Sequence, residues 1–577
     1  MSLRQFQFDY YNDFTLKNEL TKIRLWCDSS VYSHIVFQIY SEQVDREKIE
    51  NICSVIEREL PQAEYFGCST NGNIIGGEFS GNDISIICTV FEYPSTKMLF
   101  RQYELSAETS DSVTGDLLRI IEENPWVKAV ELLTTIRGMS MTVFCENLSK
   151  AREDIQIFGG GAFASDINNE EACVFSKSCG ISSGGVVFWL LGGEDLDIDS
   201  TYVTGWKPLG KVFHVTRSEG SRLYELDGAP AYDVYYKYLN IKNDAHFFNH
   251  SLEFPFFYKC HGINILRAPT ASLEDGSLIM TSDMESDEFA QLAYGDPGTI
   301  LESVREEGVR IRDFRPEIVQ IFSCAARRSF WGNNEISKES MPFGGIAPTS
   351  GFYTSGEFLR TDKYVNQHNV TMVLVGMREG LADDQPAKAL EIDESEFTGK
   401  MALINRLANY INAAFRELEE SAIRDGLTKL YNRAEIQRRI NERLISGEKL
   451  SLIMIDIDNF KSVNDTYGHN EGDNVIIGLA KMLKDGISSR GNFASAGRWG
   501  GEEFMVLLPN DVNSAIDAAG KMCEAFREID FLLAGKRTIS IGVTEARADD
   551  TLDKLLIRVD SALYDAKHGG KNRFVVV

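Results

Sequence analysis

The stretch Arg498-Trp499-Gly500-Gly501-Glu502-Glu503-Phe504 decides the fold of the C-terminal part of this chain. A Gly-Gly pair, followed at once by two carboxylates and the apolar run Phe504 to Leu508, predicts the tip of a β-hairpin. We expect the two glycines to let the backbone take positive φ and to leave space beside a bulky ligand. A second acidic motif lies upstream, Ile455-Asp456-Ile457-Asp458-Asn459-Phe460-Lys461.

Asp456 stands near the end of an apolar run, 450–457, that predicts a central strand. Carboxylates on the hairpin tip that face Asp456 would form a hard, oxygen-only site of the kind that Mg²⁺ prefers. A solvated acidic turn explains Gly-Gly-Glu-Glu by itself equally well. The pairing of the two motifs is therefore what indicates a site.

Composition limits the class of protein. The chain has 577 residues, too many for one core, so we expect several domains. The net charge of −27 argues against a nucleic-acid surface, although a nucleotide needs only a local cationic pocket. The ten cysteines lack CxxC spacing, and the N-terminus lacks the apolar core of a signal peptide. We expect a cytoplasmic protein without a membrane segment, in which the short run Gly185 to Leu191 is a buried strand.

Residues from about 420 to 577 resemble the GGDEF domain of the diguanylate cyclase family, in its Gly-Gly-Glu-Glu-Phe variant. Beyond the two acidic motifs, the resemblance rests on Asp425-Gly426-Leu427-Thr428-Lys429-Leu430-Tyr431-Asn432-Arg433, Lys461-Ser462-Val463-Asn464-Asp465-Thr466-Tyr467-Gly468-His469, Gly472-Asp473, Ser540-Ile541-Gly542-Val543 and Ala566-Lys567-His568-Gly569-Gly570-Lys571-Asn572. It implies a palm-like βααββ domain over 422–577 with an antiparallel sheet.

The resemblance also implies a reaction, the condensation of two GTP molecules into cyclic di-GMP with release of two pyrophosphates. It assigns a metal ion, Mg²⁺ or Mn²⁺, to Asp456, the Ile457 carbonyl and Glu502, with Glu503 assisting. Glu502 is the family's proposed general base, and Lys461 would neutralise developing phosphate charge. A metal-bound carboxylate is a poor base alone, so a metal-lowered hydroxyl pKa could matter more.

The same resemblance implies a set of substrate-binding residues. Asn464 and Asp473 would read the guanine edge, His469 would order their loop, Gly500 and Gly501 would form the tip, and Lys567 and Lys571 would clamp the triphosphate. Asp458 is expected outside the site, either past the strand end or capping the next turn. Phe460 and Phe504 are expected in the core.

One departure from the family concerns product binding. Many members carry an Arg-x-x-Asp shortly before the Gly-Gly turn, and the corresponding positions here are Gly491 and Ala494. We therefore expect no feedback inhibition through that site. A degenerate domain that binds GTP or a partner without turnover is the alternative, but the retained hairpin and strand-end acids favour activity.

The chain before about residue 375 is β-rich and punctuated by glycine. Core strands are predicted at 84–90, 186–191, 318–323 and 371–375. Tyr65 to Gly72 and Ile157 to Asp166 resemble one another, each delivering small residues that permit close approach of a ligand or another strand. Tight turns in a large sheet explain them equally well.

These two stretches, with Phe322 to Arg327 and Gly351 to Glu357, resemble the FIST sensory domain, whose N-terminal half would cover 30–225 and whose C-terminal half would cover 226–375. The resemblance implies an intracellular sensor of a small-molecule ligand whose identity is unknown. Amino acids have been proposed for the family, and some members bind haem. A haem or metal role for His246, His250, Cys260 and His261 competes with a buried aromatic core, since their spacing fits no standard zinc pattern.

An acidic linker at 379–386 precedes a predicted helix at 399–421. Ile404, Leu407, Ile411, Ala414 and Leu418 recur at heptad spacing, which indicates a short coiled coil. Because one cyclase domain offers one GTP site and two GTPs must meet, the resemblance implies a homodimer through this helix and the GGDEF domains. An amphipathic helix packed on its own sensor is the alternative. Altogether we expect an α/β and α+β multidomain protein: β-rich FIST sensor halves, a coiled-coil linker helix and a palm-like βααββ GGDEF domain.

Overall fold

The computed structural model describes residues 3–136, 140–164, 171–244, 247–260, 263–332, 335–382, 400–488, 495–509 and 511–577. The chain divides into two compact units, Met1–Ile411 and Asn412–Val577, which confirms a multidomain protein of mixed helix and strand. Across these ranges, no helix combines the length and the apolar character needed to span a membrane.

The first unit contains three copies of one module. In each copy, strands and helices alternate, and a β-hairpin and a final strand follow. The first copy contains β1 (Arg4–Asp9), α1 (Asp13–Asp28), β2 (His34–Ser41), α2 (Arg46–Glu59), β3 (Glu64–Ser69), the hairpin β4 (Asn73–Ile75) and β5 (Glu78–Ser80), and β6 (Ile84–Phe91). The second copy contains β7 (Lys97–Glu104), α3 (Ser110–Glu123), β8 (Val127–Thr134), α4 (Met141–Leu148), β9 (Gln156–Gly161), the hairpin β10 (Val174–Ser176) and β11 (Gly180–Ser182), and β12 (Gly185–Gly192). Every residue of β12 is buried, which confirms the predicted core strand.

The third copy is interrupted by an inserted sheet. It begins with β13 (Leu196–Val203), after which the insertion runs through β14 (Trp206–Glu219), β15 (Arg222–Leu226), β16 (Ala229–Pro230), α5 (Tyr232–Leu239), α6 (Phe247–Ser251), β17 (Phe256–Cys260), β18 (Ile263–Arg267), β19 (Pro269–Ser272), β20 (Leu278–Met280) and β21 (Phe289–Gly295). The copy resumes with α7 (Pro297–Phe314), β22 (Ile318–Cys324), α8 (Ala325–Trp331), the 3₁₀ helix Ile336–Glu339, α9 (Met341–Ile346), β23 (Thr349–Thr354), the hairpin β24 (Glu357–Thr361) and β25 (Tyr364–His368), and β26 (Met372–Glu379).

The three copies exchange their hairpins in a cycle. The sheet of the first copy has the order β1-β6-β2-β3-β10-β11, so it holds the hairpin of the second copy. The second sheet, β25-β24-β9-β8-β12-β7, holds the hairpin of the third copy, and the third sheet, β13-β26-β22-β23-β4-β5, holds that of the first. Residues from both predicted FIST halves therefore share sheets, and the predicted limit near 225 falls inside β15. The boundaries of the two halves remain predictions.

A glycine occupies the equivalent position of the second parallel strand in each copy. Gly67, Gly159 and Gly351 pair in register with Ile39, Leu132 and Ile321. A Cβ on these glycines would lie 2.0, 1.9 and 1.9 Å from the carbonyl oxygen of the paired residue. Close strand contact thus explains the two similar glycine-rich stretches and adds a third.

In each copy, the residue that directly precedes the glycine's partner lies on the first of the two parallel strands, and these three residues meet inside the unit. Gln38 Nε2 donates to Glu131 Oε1 at 3.1 Å, and Gln320 Nε2 donates to the same oxygen at 3.0 Å. All three side chains are buried, and burial raises the pKa of Glu131 to about 8. The Glu131 carboxyl group and the side-chain amides of Gln38 and Gln320 therefore connect the three copies.

The second unit contains one five-stranded sheet between two pairs of helices. After α10 (Lys400–Ile423), which crosses the limit between the units, its elements are α11 (Arg433–Ser446), β27 (Ser451–Ile457), α12 (Phe460–Tyr467), α13 (His469–Ser488), β28 (Ser495–Arg498), β29 (Glu503–Leu508), α14 (Val512–Arg527), β30 (Asp530–Phe531), β31 (Gly535–Lys536), β32 (Ile539–Glu545), α15 (Leu552–His568) and β33 (Phe574–Val576). The strand order is β28-β29-β27-β32-β33, and β27 to β29 form the predicted βααββ unit.

Alternate residues of β27 serve the two faces of this sheet. Ile453 and Ile455 pack in a core with α13 and α14, whereas Leu452 and Met454 pack in a core with α11 and α15. This is the period-two alternation of a strand covered on both sides, which explains the continuous apolar run in the sequence.

Candidate active site

The Gly-Gly hairpin forms where the sequence predicts it. β28 and β29 are antiparallel, and the backbone N–H groups of Trp499 and Gly500 donate to the Glu503 carbonyl at 2.8 and 3.2 Å. The predicted positive φ is wrong, because neither Gly500 nor Gly501 adopts it. A Cβ at Gly500 would lie 2.8 Å from Glu503 Oε2, so the glycine lets this carboxylate lie against the tip. Gly501 has no atom near its Cβ position and leaves the tip open.

The hairpin tip and the end of β27 carry three acidic residues near enough to influence one another's charge. Asp456 pairs in register with Glu503, and the Ile457 N–H donates to the Glu502 carbonyl at 3.4 Å. Burial raises the pKa of all three acids, and the charge of Asp456 raises the pKa values of Glu502 and Glu503 further. The arrangement therefore concentrates negative charge at one strand end.

Lys567 supplies the opposing charge. Its Nζ, on the last turn of α15, lies 2.6 Å from Asp456 Oδ2. The charge of Lys567 partly offsets the rise in pKa of each of the three acids. Lys571 also partly offsets the raised pKa of Asp456, and its Nζ donates to Asn459 Oδ1 at 2.6 Å. Lys461 is exposed on the first turn of α12, directly after the same strand end.

The acidic residues fit a divalent cation by chemistry. Carboxylate and carbonyl oxygens are the donors that Mg²⁺ takes, and a cation would stabilise the charged carboxylates that burial and mutual repulsion disfavour. In the part of the chain that the structure describes, no three His, Cys, Asp or Glu side chains converge as a preformed metal cluster. Asp456 instead contacts Lys567. The metal assignment to Asp456, Ile457, Glu502 and Glu503 stays a prediction.

The residues predicted to read guanine lie where α12 meets α13. A Cβ on Gly472 would lie 2.0 Å from Asn464 Oδ1, so the glycine lets the Asn464 side chain lie against the start of α13. Asp473, the next residue, and His469, at the start of the helix, are both exposed. The structure therefore places Asn464 beside the residue that precedes Asp473.

The carboxylate of Asp458 is held by hydrogen bonds within its own domain. It follows the last residue of β27, and its carboxylate accepts hydrogen bonds from Thr538 Oγ1 at 2.7 Å, Ser540 Oγ at 2.6 Å and the Asn572 N–H at 3.0 Å. It thus joins β27 to β32 and to the turn that carries Lys571. Phe460 and Phe504 are buried in the core, as predicted.

Sequence reasoning assigned no role to one ion pair that supports the tip. Arg498 Nη1 lies 3.3 Å from both carboxylate oxygens of Asp425, and Arg498 Nη2 donates to the Gly501 carbonyl at 2.7 Å. Asp425 also accepts from the Thr428 N–H at 2.8 Å. An Asp-x-x-Thr turn and an Arg before Gly-Gly are visible in the sequence, but no spacing rule relates two residues so far apart.

Several predictions concern residues beyond those that the structure describes. His246, His261, Gly491 and Ala494 lie outside the described ranges, as does the side chain of Cys260, whereas His250 is exposed. The nine cysteines whose side chains the structure describes form no disulfide with one another, and Cys179 alone of these is exposed.

Three family matches follow the same division of the chain. Residues 35–229 match the FIST N domain, residues 231–360 match the FIST C domain, and residues 422–573 match "Diguanylate cyclase, GGDEF domain".

Named relatives and a solved structure match part of this chain. Diguanylate cyclase VdcA of Vibrio cholerae serotype O1 is 30% identical over 298 residues, which cover 42% of this chain and 85% of that protein. Diguanylate cyclase DgcM of Escherichia coli K12 is 36% identical over 165 residues, or 27% of this chain, and the match spans 39% of the length of DgcM. The crystal structure of the active GGEEF domain of a diguanylate cyclase from Vibrio cholerae shares 34% identity, with a TM-score of 0.23, over 25% of this chain and 92% of that one.

The hairpin, the strand-end acid and the extent of the match to VdcA lead to one classification. This chain belongs to the diguanylate cyclase family of GGDEF-domain proteins, with FIST domains preceding its GGDEF domain.

Proposed function

We propose that this protein is a sensor-controlled diguanylate cyclase that condenses two GTP molecules into cyclic di-GMP and releases two pyrophosphates. The observation that carries the proposal is the register pair of Asp456 and Glu503, with Glu502 beside it on the open hairpin tip. In this reaction each 3′-hydroxyl loses a proton and attacks an α-phosphorus in line with the departing pyrophosphate.

Asp456, the Ile457 carbonyl, Glu502 and Glu503 would hold Mg²⁺ or Mn²⁺, which would stabilise charge on the attacking and leaving oxygens. Glu502 suits the proton transfer, because burial and Asp456 raise its pKa towards the range of an effective base. Lys461, Lys567 and Lys571 follow or face the same strand end and would neutralise the triphosphate.

Guanine would be recognised at the meeting of α12 and α13. Asp473 would accept from the N1–H and 2-amino group, while Asn464 would donate to O6. Adenine would leave Asp473 facing an acceptor, and an unpaired polar group of this kind costs about 1–3 kcal/mol. GTP would therefore be preferred over ATP.

Two GTP molecules must meet, and one domain offers one site, so the active species would be a homodimer with facing half-sites. Helix α10 supports this proposal, because heptad residues Leu407, Ile411 and Leu418 are 50%, 46% and 68% exposed in the single chain. Ala408 of the same helix is buried among residues of the inserted sheet. The helix would thus contact the sensor through one face and a second chain through the other.

The test is a matched pair of Glu→Gln variants. Glu502→Gln should lower turnover at least ~10²-fold, the scale of losing a positioned acid–base group. Glu524→Gln, which changes an exposed residue of α14, should match the parent. Cyclic di-GMP formation from GTP with Mg²⁺ would be measured by chromatography, with the fold checked by circular dichroism. Near-normal product formation by Glu502→Gln would refute the assignment, and absence of product from the parent would favour a GTP-binding module.

A further inference from the structure

A turn of unusual backbone conformation connects α15 to β33. Three consecutive residues of this turn, Gly570, Lys571 and Asn572, adopt positive φ angles of 115°, 63° and 48°. Glycine takes such angles readily, whereas a side chain disfavours them, most of all at Lys571 because asparagine is the more tolerant residue. Residues with side chains keep this conformation only where the surrounding structure holds them in it. The turn therefore needs contacts from outside it.

The carboxylate of Asp458 supplies such a contact. Its Oδ2 accepts from the Asn572 N–H at 3.0 Å, and the same oxygen accepts from Thr538 Oγ1 at 2.7 Å. Its Oδ1 accepts from Ser540 Oγ at 2.6 Å, and the Asp458 N–H donates to the Thr538 carbonyl at 3.0 Å. Asp458 and Ser540 are both buried. The carboxylate is therefore fixed by residues at the start of β32, and it presents one oxygen to the backbone of the turn.

Lys571 is the residue of this turn with a predicted role. Its Nζ donates to Asn459 Oδ1 at 2.6 Å, so its side chain reaches the end of β27, and its charge partly offsets the raised pKa of Asp456. Lys567, the other predicted triphosphate contact, lies on α15 itself, and its Nζ is 2.6 Å from Asp456 Oδ2. The turn therefore sets the position of Lys571, whereas the helix sets that of Lys567.

We propose that Asp458 is a positioning residue for triphosphate binding: its carboxylate holds the turn so that Lys571 reaches the end of β27. The inference rests on the proposed function, in which Lys571 contacts the triphosphate of GTP. Loss of the carboxylate would leave the Asn572 N–H without this acceptor and allow the turn to relax to negative φ. Lys571 would then move away from the strand end, whereas Lys567 would keep its place on α15. A residue that only stabilised the sheet would affect both lysines alike.

The test is titration calorimetry of the full chain, in the presence of Mg²⁺, with the GTP analogue that has a methylene group between the α- and β-phosphorus. Asp458→Ala and Lys571→Ala should each raise the dissociation constant about 10-fold, the scale of losing one hydrogen bond to a charged group. The double variant should bind no more weakly than either single variant, because the two residues act as a unit. Asp458→Ala combined with Lys567→Ala should instead show the product of the two single effects.

Further variants check that the carboxylate oxygen is responsible. Asp458→Asn should bind the analogue almost like the parent, since the amide oxygen can still accept from the Asn572 N–H. Asp485→Ala, at an exposed position of α13, is the matched control and should equal the parent. Thr538→Val serves if Asp458→Ala fails to fold. It removes a hydroxyl that holds the carboxylate, so it should raise the dissociation constant about 3-fold, and only while Lys571 is present.

The outcomes separate this inference from the cyclase assignment. If the parent binds the analogue and the effect of Asp458→Ala multiplies with that of Lys571→Ala, Asp458 does not act through Lys571. The inference is then overturned while the proposed function stands, and parental affinity of Asp458→Ala has the same meaning. A parent that does not bind the analogue would overturn both.

Discussion

Gly472 affects the predicted guanine site because it has no Cβ. Its missing Cβ is the space that the Asn464 side chain occupies, at 2.0 Å from the ideal Cβ position. An added Cβ would therefore force the Asn464 amide to move. The position of a predicted guanine-reading side chain therefore depends on a neighbouring helix.

Gly472→Ala should displace Asn464 and raise the KM for GTP about 10-fold, the scale of losing one hydrogen bond in a buried site. Gly486→Ala is the matched control, because it lies in the same helix and its Cβ would meet no atom within 4 Å. The control should leave KM unchanged and stabilise the fold by up to ~1 kcal/mol, as Ala does relative to Gly in helices. Steady-state kinetics and denaturant unfolding measure both effects. Equal KM values for the two variants would show that Asn464 does not contact the nucleotide.

Glu131 gives the sensor a dependence on pH. Its pKa is about 8 in the folded chain because of burial, whereas an unfolded chain has a glutamate pKa of about 4.3. Between these values the folded state holds a proton that the unfolded state has released, so stability falls as pH rises through this window.

Glu131→Gln should remove that dependence, because the amide does not titrate and its oxygen can still accept from Gln38 or Gln320. The melting temperature of the variant relative to the parent should therefore rise from pH 5 to pH 8.5. Glu108→Gln, at an exposed position, is the control and should show a constant difference. A constant difference for Glu131→Gln as well would mean that Glu131 does not titrate in this window. Calorimetric scans at several pH values measure the comparison.

At the level of elements, α10 connects the two units along the chain. Its heptad residues Leu407, Ile411 and Leu418 are exposed. The chain directly after the helix contains Asp425, whose carboxylate contacts Arg498 beside the Gly-Gly tip. A rotation of this helix would therefore be passed to Asp425, which contacts Arg498 beside the Gly-Gly tip.

Insertions in α10 test this role. One residue inserted after Ala413 would rotate the following helix by about 100°, whereas seven residues would nearly restore the apolar seam. We expect the single insertion to disrupt ligand control or to lock turnover on or off, and the seven-residue insertion to preserve most of the parental behaviour. Turnover would be measured with and without a sensor ligand, or as basal turnover. If both proteins behave like the parent, α10 is a passive tether.

At the level of the whole molecule, the cyclic exchange of hairpins closes the first unit on itself. Each copy completes the sheet of another, so no copy retains a complete sheet when a neighbour unfolds. The strands that carry Gln38, Glu131 and Gln320 should therefore lose their structure together, as one cooperative unit.

Hydrogen exchange can measure this cooperativity. Peptides from β2, β8 and β22 should exchange through a single opening with one shared free energy, and a destabilising Phe158→Ala change in the second copy should accelerate exchange in all three. Burial of Phe158 predicts a loss of about 3–5 kcal/mol. Acceleration confined to β8 and β9 would show that the copies open independently.

The sequence alone determined the features that depend on neighbouring residues. Gly500 and Gly501, followed by an apolar run, predicted the hairpin, and the apolar run 450–457 predicted the strand Ser451–Ile457 that carries Asp456. Turn preference and side-chain periodicity are local properties, so a window of sequence contains them.

Tertiary structure alone decided the features that depend on residues far apart in the chain. The exchanged hairpins, the contact of Glu131 with Gln38 and Gln320, and the Asp425–Arg498 pair leave no periodic signal in the sequence. Strand alternation specifies which face of a strand is buried, but not which sheet edge receives it. The prediction of positive φ at Gly500 was wrong for the same reason. What distinguishes this glycine is its contact with the Glu503 side chain and not its own φ angle.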